Sequence, residues 1–226
     1  MSASDGAPPR GGVIGRLWRF LWRPSAAISL GVLLIVGFFG GILFWGAFHW
    51  AVEISNTETF CISCHEMESG PYQDLQRTVH FVNRTGVRAT CSDCHVPKQW
   101  VYKIARKIKA TRELYYHFTG AIDTPEKFDA QRLTMAVSVW SSMKATDSRE
   151  CRNCHEKVWM DTSAQFSRAA RSHELALESG ALTCVDCHQG IAHRLPEGFE
   201  RPEPEALVAD ADAWLAALRA RAEAGE

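Results

Sequence analysis

CISCHEMESGPYQDLQRTVHFVNRTGVRATCSDCH, residues 61–95, opens and closes on one five-residue signature, Cys-x-x-Cys-His. Reading outward, the signature returns at Cys151/Cys154/His155 and Cys184/Cys187/His188, so the 226-residue chain carries it four times and all eight cysteines fall within it. Two thiols at this spacing can form thioethers with the vinyl groups of a porphyrin, and the adjacent imidazole can reach its iron. The pattern predicts four covalently attached haem c groups, held by Cys61, Cys64, Cys91, Cys94, Cys151, Cys154, Cys184 and Cys187. A zinc site needs no histidine after every cysteine pair, and a disulfide framework leaves His65, His95, His155 and His188 unexplained.

The two halves of this pattern repeat. CISCHEM…His80…CSDCH aligns with CRNCHEK…His173…CVDCH, with ten residues between the lone histidine and the next motif in both halves. A two-haem module is duplicated. Asp93 matches Asp186 in this alignment and Glu66 matches Glu156, an equivalence read as packing or solvation rather than chemistry.

A low-spin haem takes a second axial ligand, and His80 and His173 stand at equivalent places to provide it. HQGIAH adds His193, five residues beyond His188, as a third distal candidate; the first half has HVPKQW instead. Four irons thus face three well-placed distal histidines, and one haem is expected to be ligated differently or left open. Met67, two residues after His65, offers a thioether, which raises the potential of a haem iron relative to two imidazoles. Lys98, His117 and His49 are weaker candidates for that place.

Upstream, AAISLGVLLIVGFFGGILFWGAF (26–48) carries no charge and as a helix reaches roughly 35 Å, enough for a bilayer core. The run is too long for the apolar part of a cleaved signal peptide. Arg10, Arg16, Arg19 and Arg23 precede it against one Asp5, while Glu53 and Glu58 follow, so the positive-inside bias puts the N-terminus in the cytoplasm. Trp18, Trp22, Trp45 and Trp50 flank or end the span as interfacial residues do. The haem domain is then expected in a bacterial periplasm, held against the inner membrane by a single span. With 25 basic and 26 acidic residues, a net charge of -1 gives no general pull toward nucleic acid.

Between the modules, QWVYKIARKIKATRELYYHF places Val101, Ile104, Ala105 and Ile108 on one face of a basic helix, with Lys103, Arg106, Lys107 and Arg112 around it. Six basic residues and no acid between Lys98 and Arg112 suit contact with anionic lipid headgroups. Quinol oxidation releases protons, so a base is needed beside the electron-accepting haem; Glu113 with Lys107 or Lys109 could bind and deprotonate the headgroup. Residues 119–147 read as a connector without visible chemistry. Residues 196–226, with eight acids against three arginines, read as a mobile tail or one that orders on a partner.

These residues together resemble the NapC/NirT family of membrane-anchored tetrahaem c-type cytochromes over roughly residues 20–195: the anchor, CISCHEM, CSDCHVP, IDTPEKF and ECRNCHE. The resemblance implies a quinol dehydrogenase that passes electrons from the membrane pool, ubiquinol or menaquinol, to a soluble periplasmic reductase. Members serving periplasmic nitrate reductase look nearest; members with a further C-terminal mono-haem domain are set aside because no fifth motif is present. It also implies Met67 as ligand of the first haem with His65 unligated, His80, His173 and His193 as the other distal ligands, and a quinol site built from Lys107 and Glu113, with Lys109 as an alternative.

The expected fold is mostly α: one N-terminal transmembrane helix (25–50) after a cytoplasmic segment (1–24), then an irregular, haem-packed multihaem cytochrome c domain. That domain comprises a first di-haem module (51–118), the connector (119–147), a second module (148–195) and the tail (196–226). A tethered relay with no quinol site of its own, a donor to a nitrite or N-oxide reductase, and a terminal reductase acting at the open haem remain as other readings.

Overall fold

The computed structural model describes residues 12–21 and 27–225; Arg10, Trp22 and Arg23 of the expected cytoplasmic flank lie outside the described residues, as does the side chain of Arg19. Among the described residues the regular structure is entirely helical. Two compact units divide the chain, Met1–Val52 and Glu53–Glu226.

In the first unit a short helix, α1 (Val13–Leu21), precedes α2 (Leu30–Ile54), 25 residues long. Every residue of α2 from Leu30 to Ala51 is exposed. A helix that is apolar around its whole circumference and has no protein core to bury it has the make-up of a bilayer span, and α2 is long enough to be one. It ends at Ile54, one turn later than the expected boundary, because no breaker intervenes before Thr57, which caps the next helix by accepting from Phe60 N.

The second unit is a succession of helices, of which that at Trp100–Phe118 is the longest. α3 (Glu58–Cys61), α4 (His65–Met67), α5 (Gln73–Gln76) and α6 (Cys91–His95) lead to α7 (Trp100–Phe118). α8 (Pro125–Ala130), α9 (Arg132–Ala145), α10 (Arg149–Arg152), α11 (Ser167–Ser179), α12 (Cys184–Cys187), α13 (Pro204–Ala209) and α14 (Ala213–Ala224) follow.

The apolar core is built largely from the connector and the C-terminal segment. Leu133, Val137 and Trp140 of α9 pack with Leu182, Val185, Leu207 of α13, and Trp214, Leu215 and Leu218 of α14. Trp140 lies 6.0 Å from Trp214 and 5.0 Å from Phe199, ring centre to ring centre. The expectation of a mobile tail is corrected here. Its acids made 196–226 read as a solvated tail, and the described ones are indeed exposed, but the spaced Leu207, Trp214, Leu215 and Leu218 are buried against α9.

Helix α7 also presents its faces differently from expectation. Val101, Ala105 and Ile108 form a stripe continued by Tyr115, and that stripe is exposed. The opposite face, with Lys103, Arg106, Lys107, Ala110 and His117, packs inward. The cations on that face are accommodated because each has a partner: Lys103 on Glu53 at 2.6 Å, Arg106 on Glu113 at 2.7 Å and on the His95 carbonyl, and Lys107 on the Ser55 carbonyl and hydroxyl.

Candidate functional site

The second and fourth motifs fold as single helical turns for a reason legible in TCSDCH and TCVDCH. Thr90 with Asp93, and Thr183 with Asp186, form reciprocal capping boxes, each hydroxyl-bearing residue capping the turn while the aspartate returns to its backbone N–H. Asp186 is completely buried and also receives Lys144 Nζ at 2.6 Å and Trp214 Nε1 at 3.1 Å, fastening the fourth motif to α9 and α14. The matched aspartates are therefore caps. The first and third motifs instead follow one-turn helices that carry their first cysteines, Cys61 in α3 and Cys151 in α10. Ahead of α10, Ser148 is buried at a φ of +46°, a strained setting for a residue with a Cβ. Its hydroxyl accepts from Thr183 Oγ1 and Val185 N, which ties the third motif to the fourth.

The cysteines place the motifs in chain order. The Cys61 and Cys91 thiols share a hydrogen bond, which lowers the Cys61 thiol to about 7, and Cys151 and Cys184 do the same, lowering Cys184 to about 6. Cys94 lies close enough to Cys154 to sense its charge. Motif one thus meets motif two, two meets three, and three meets four.

Four further histidines face the four motif histidines. His65 faces His117 with ring centres 6.1 Å apart, His95 faces His193 at 6.1 Å, His155 faces His80 at 6.2 Å and His188 faces His173 at 5.8 Å. Two imidazoles on opposite sides of one metal, bonded at roughly 2 Å with each ring centre about 1 Å further out, stand about 6 Å apart. His173 Nε2 and His188 Nε2 approach to 3.5 Å, so both nitrogens converge on one point.

The four facing rings share a second feature. His193 Nδ1 bonds the Pro71 carbonyl at 3.1 Å, His80 Nδ1 the Ile191 carbonyl at 3.3 Å, His173 Nδ1 the Gln165 Oε1 at 2.6 Å and His117 Nδ1 the Glu66 Oε1 at 2.6 Å. A carbonyl or carboxylate oxygen only accepts, so Nδ1 carries the proton and Nε2 keeps its lone pair, the tautomer that binds a metal. Burial, helped by the neighbouring His193 and Arg106, pushes His95 down to about 4, and burial likewise lowers His188 and His193, so these rings are neutral at physiological pH. The residues present fit haem iron held between paired imidazoles.

This geometry corrects the expectation that His65 lacks an imidazole opposite it. His117 ends α7 on its inward face, and the spacing of the repeat could not reveal it because it has no counterpart in the second half. Its signal in the sequence was the helical register from Lys103 through Arg106 and Ala110 to His117. Met67 follows His65 by two residues and lies at the end of α4, half-buried. The pairing also departs from the repeat: His80 of the first half faces the third motif and His193 of the second half faces the second, whereas His173 faces the fourth. Lys98 is exposed in the turn before α7, and His49 lies in α2 with its ring against Trp45.

The first pair is distinguished by a carboxylate. Glu66 is 3% exposed at its side chain, and the Oε1 that accepts from His117 lies 3.8 Å from His65 Nε2. Burial favours the protonated form, but the His117 hydrogen bond, a backbone N–H and the nearby His117 and His65 together outweigh it, and Glu66 is held below the usual carboxylate range. Its matched residue, Glu156, merely caps Lys157 N. A small cavity opens beside His65 and Glu66, walled by Thr124, Pro125, Phe128 and Arg132.

Of the residues expected to handle quinol, Lys107 and Glu113 both lie within electrostatic range of Cys61. They do not touch: Lys107 is spoken for by Ser55 and Glu113 by Arg106. Burial lowers the Lys107 ammonium from its ordinary value. Lys109, two residues on, is exposed on the other side of α7 and is not brought to this place.

Comparisons with known proteins bear on the chain as a whole. The chain is 54% identical over 197 residues to the cytochrome c-type protein NapC of Escherichia coli (strain K12), covering 87% of this chain and 96% of that one. It is 52% identical over 205 residues to the denitrification system component NirT of Stutzerimonas stutzeri, covering 91% of this chain and all of that one. A putative tetraheme cytochrome-c type protein of Allochromatium vinosum is 44% identical over 169 residues, 75% of this chain and 89% of that one. No solved structure matches the chain. Residues 23–198 match the model of the NapC/NirT cytochrome c family, N-terminal region, and with more than half its length so matched the chain belongs to that family.

Proposed function

We propose that this membrane cytochrome c takes electrons from membrane quinol and passes them through four haem c groups to a soluble periplasmic reductase, with nitrate reductase the foremost candidate. The observation that carries the reading is the set of four opposed histidine pairs, each joining one motif histidine to a ring whose Nδ1 is tied to oxygen. The eight cysteines would hold the porphyrins, and His65/His117, His95/His193, His155/His80 and His188/His173 would hold the irons. When bound, the haems supply one-electron chemistry, which neither the side chains nor the backbone can.

The chain's own residues supply position and charge. Nδ1 anchors keep each facing imidazole aimed, and burial of His95, His188 and His193 keeps them neutral. The contact of motifs in chain order leaves the first motif at the end of the series adjoining α2 in the sequence and supports reading the fourth as the end from which electrons leave for a reductase. Near the first motif, Lys107 offers a partly desolvated ammonium to a quinol oxygen, and Glu113 can take its proton once Arg106 releases it. The exposed stripe of Val101, Ala105, Ile108 and Tyr115, flanked by Lys109 and Arg112, supports contact of α7 with the lipid surface. The positive-inside bias supports a cytoplasmic N-terminus.

Full-length protein in liposomes, mixed with a menaquinol or ubiquinol analogue and no other protein, is expected to show haem reduction. Lys107→Met and Glu113→Gln should each slow it by roughly tenfold or more, with all four haems retained. Failure of the parent protein to be reduced would instead favour a relay fed by another protein.

A further inference from the structure

Arg132 sits where a cation is least welcome, at the first position of α9, buried, and facing the positive end of that helix's dipole. Its guanidinium spreads over three elements. Nε donates to Asp129 Oδ1 of α8 at 3.0 Å, while NH1 donates to Asp74 Oδ2 of α5 at 3.2 Å and to the Arg194 carbonyl at 3.3 Å. Asp74 Oδ2 also accepts from Arg194 N at 3.3 Å, and the Arg194 side chain returns to Asp129. Both backbone polar groups of residue 194 are therefore held by one ion pair whose side chains are 10% and 14% exposed. Residue 194 follows His193, whose ring is anchored on Pro71, three residues before Asp74.

We propose that the Asp74–Arg132 pair is a positioning device for His193, gripping the backbone beside it so that a side chain of the second half reaches across to His95 of the first. This rests on the reading of His193 as an axial ligand. A buried ion pair adds little net stability over apolar residues of equal volume, and its best-attested use is to fix one arrangement among several. Here the arrangement is specific. The segment Gln189–Leu195 carries His193 and must cross between the halves; besides the Pro71 carbonyl on the His193 ring and the His80 ring on the Ile191 carbonyl, it is attached there by this grip on residue 194, the residue next to His193. The connector, which shows no chemistry in the sequence, supplies Asp129 and Arg132 for the purpose.

The test compares the full-length parent with His193→Ala, the double variant Asp74→Asn/Arg132→Met, in which neither charge is left buried alone, and Arg132→Lys. Each is checked for four bound haems, and carbon monoxide binding to the reduced protein is followed together with the low-spin EPR signals of the oxidised protein. His193→Ala should open one haem to carbon monoxide. The double variant should bind carbon monoxide at that same haem roughly tenfold or more faster than the parent, the scale expected when an outer partner of a metal ligand is lost, and Arg132→Lys should restore part of the protection. If the double variant does not mature, Asp74→Asn alone carries the same expectation. Carbon monoxide binding as slow as the parent's in a variant with four haems, while His193→Ala opens a haem, overturns the positioning role. A His193→Ala protein with no opened haem overturns the ligand assignment itself.

Discussion

Gly190 adopts a φ of +73°, and a Cβ there would stand 2.8 Å from the Leu195 side chain. Both facts arise from the reversal that turns the chain after His188 and sends His193 back across the molecule. Gly190→Ala is expected to destabilise the protein by about 1–3 kcal/mol through the left-handed backbone alone, with the Leu195 contact adding to it. Thermal unfolding measures the first effect, and exposure of a haem to external ligands measures the displacement of His193. At the same scale, the glutamates matched by the repeat have parted: Glu66 orients His117, and Glu156 caps a turn. Equivalent letters in a duplicated sequence kept their place in the Cys-x-x-Cys-His motif, and lost equivalence wherever the contact depended on which element lay opposite.

Helices were legible in the sequence to the extent that their apolar pattern was simple. The long apolar helix could be read because residues 26–48 carry no charge, and α2, Leu30–Ile54, differs only at the ends, with Glu53 in its last turn. The C-terminal helices could not, because Trp214, Leu215 and Leu218 are three apolar anchors within an Ala- and acid-rich stretch, and only α9 opposite them makes a core of them. Helix α7 was placed correctly, but its Lys103, Arg106 and Lys107 face inward, where Glu53 and the His95 and Ser55 carbonyls accept from them, partners that helical periodicity does not reveal. The C-terminal helices are thus structural. Trp214→Ala, which empties a buried indole site and leaves Asp186 without one of its donors, is expected to cost about 3–5 kcal/mol and lower the melting temperature, whereas loss of a mobile tail residue would cost nothing measurable.

At the scale of the whole molecule the four motifs were legible because covalent attachment of a haem needs a fixed spacing, which a sequence displays. Which imidazole faces which motif is not marked in this way. His80 and His193 reach motifs 75 and 98 residues away, counted from His155 and His95, and the exchange of these two residues between the halves joins the duplicated modules within one compact unit. For the same reason His117 stood in the sequence only as a weaker candidate, beside Lys98 and His49. The account consequently stands on eight imidazoles in four pairs, the first of them completed by the histidine that ends α7. Near-infrared magnetic circular dichroism with EPR of the oxidised full-length protein tests this most directly. Four haems all carrying two imidazoles, one of which loses that signature in His117→Ala while Met67→Leu leaves all four unchanged, is the predicted result; a parent protein with one high-spin or histidine–methionine haem, unaltered by His117→Ala, would contradict it.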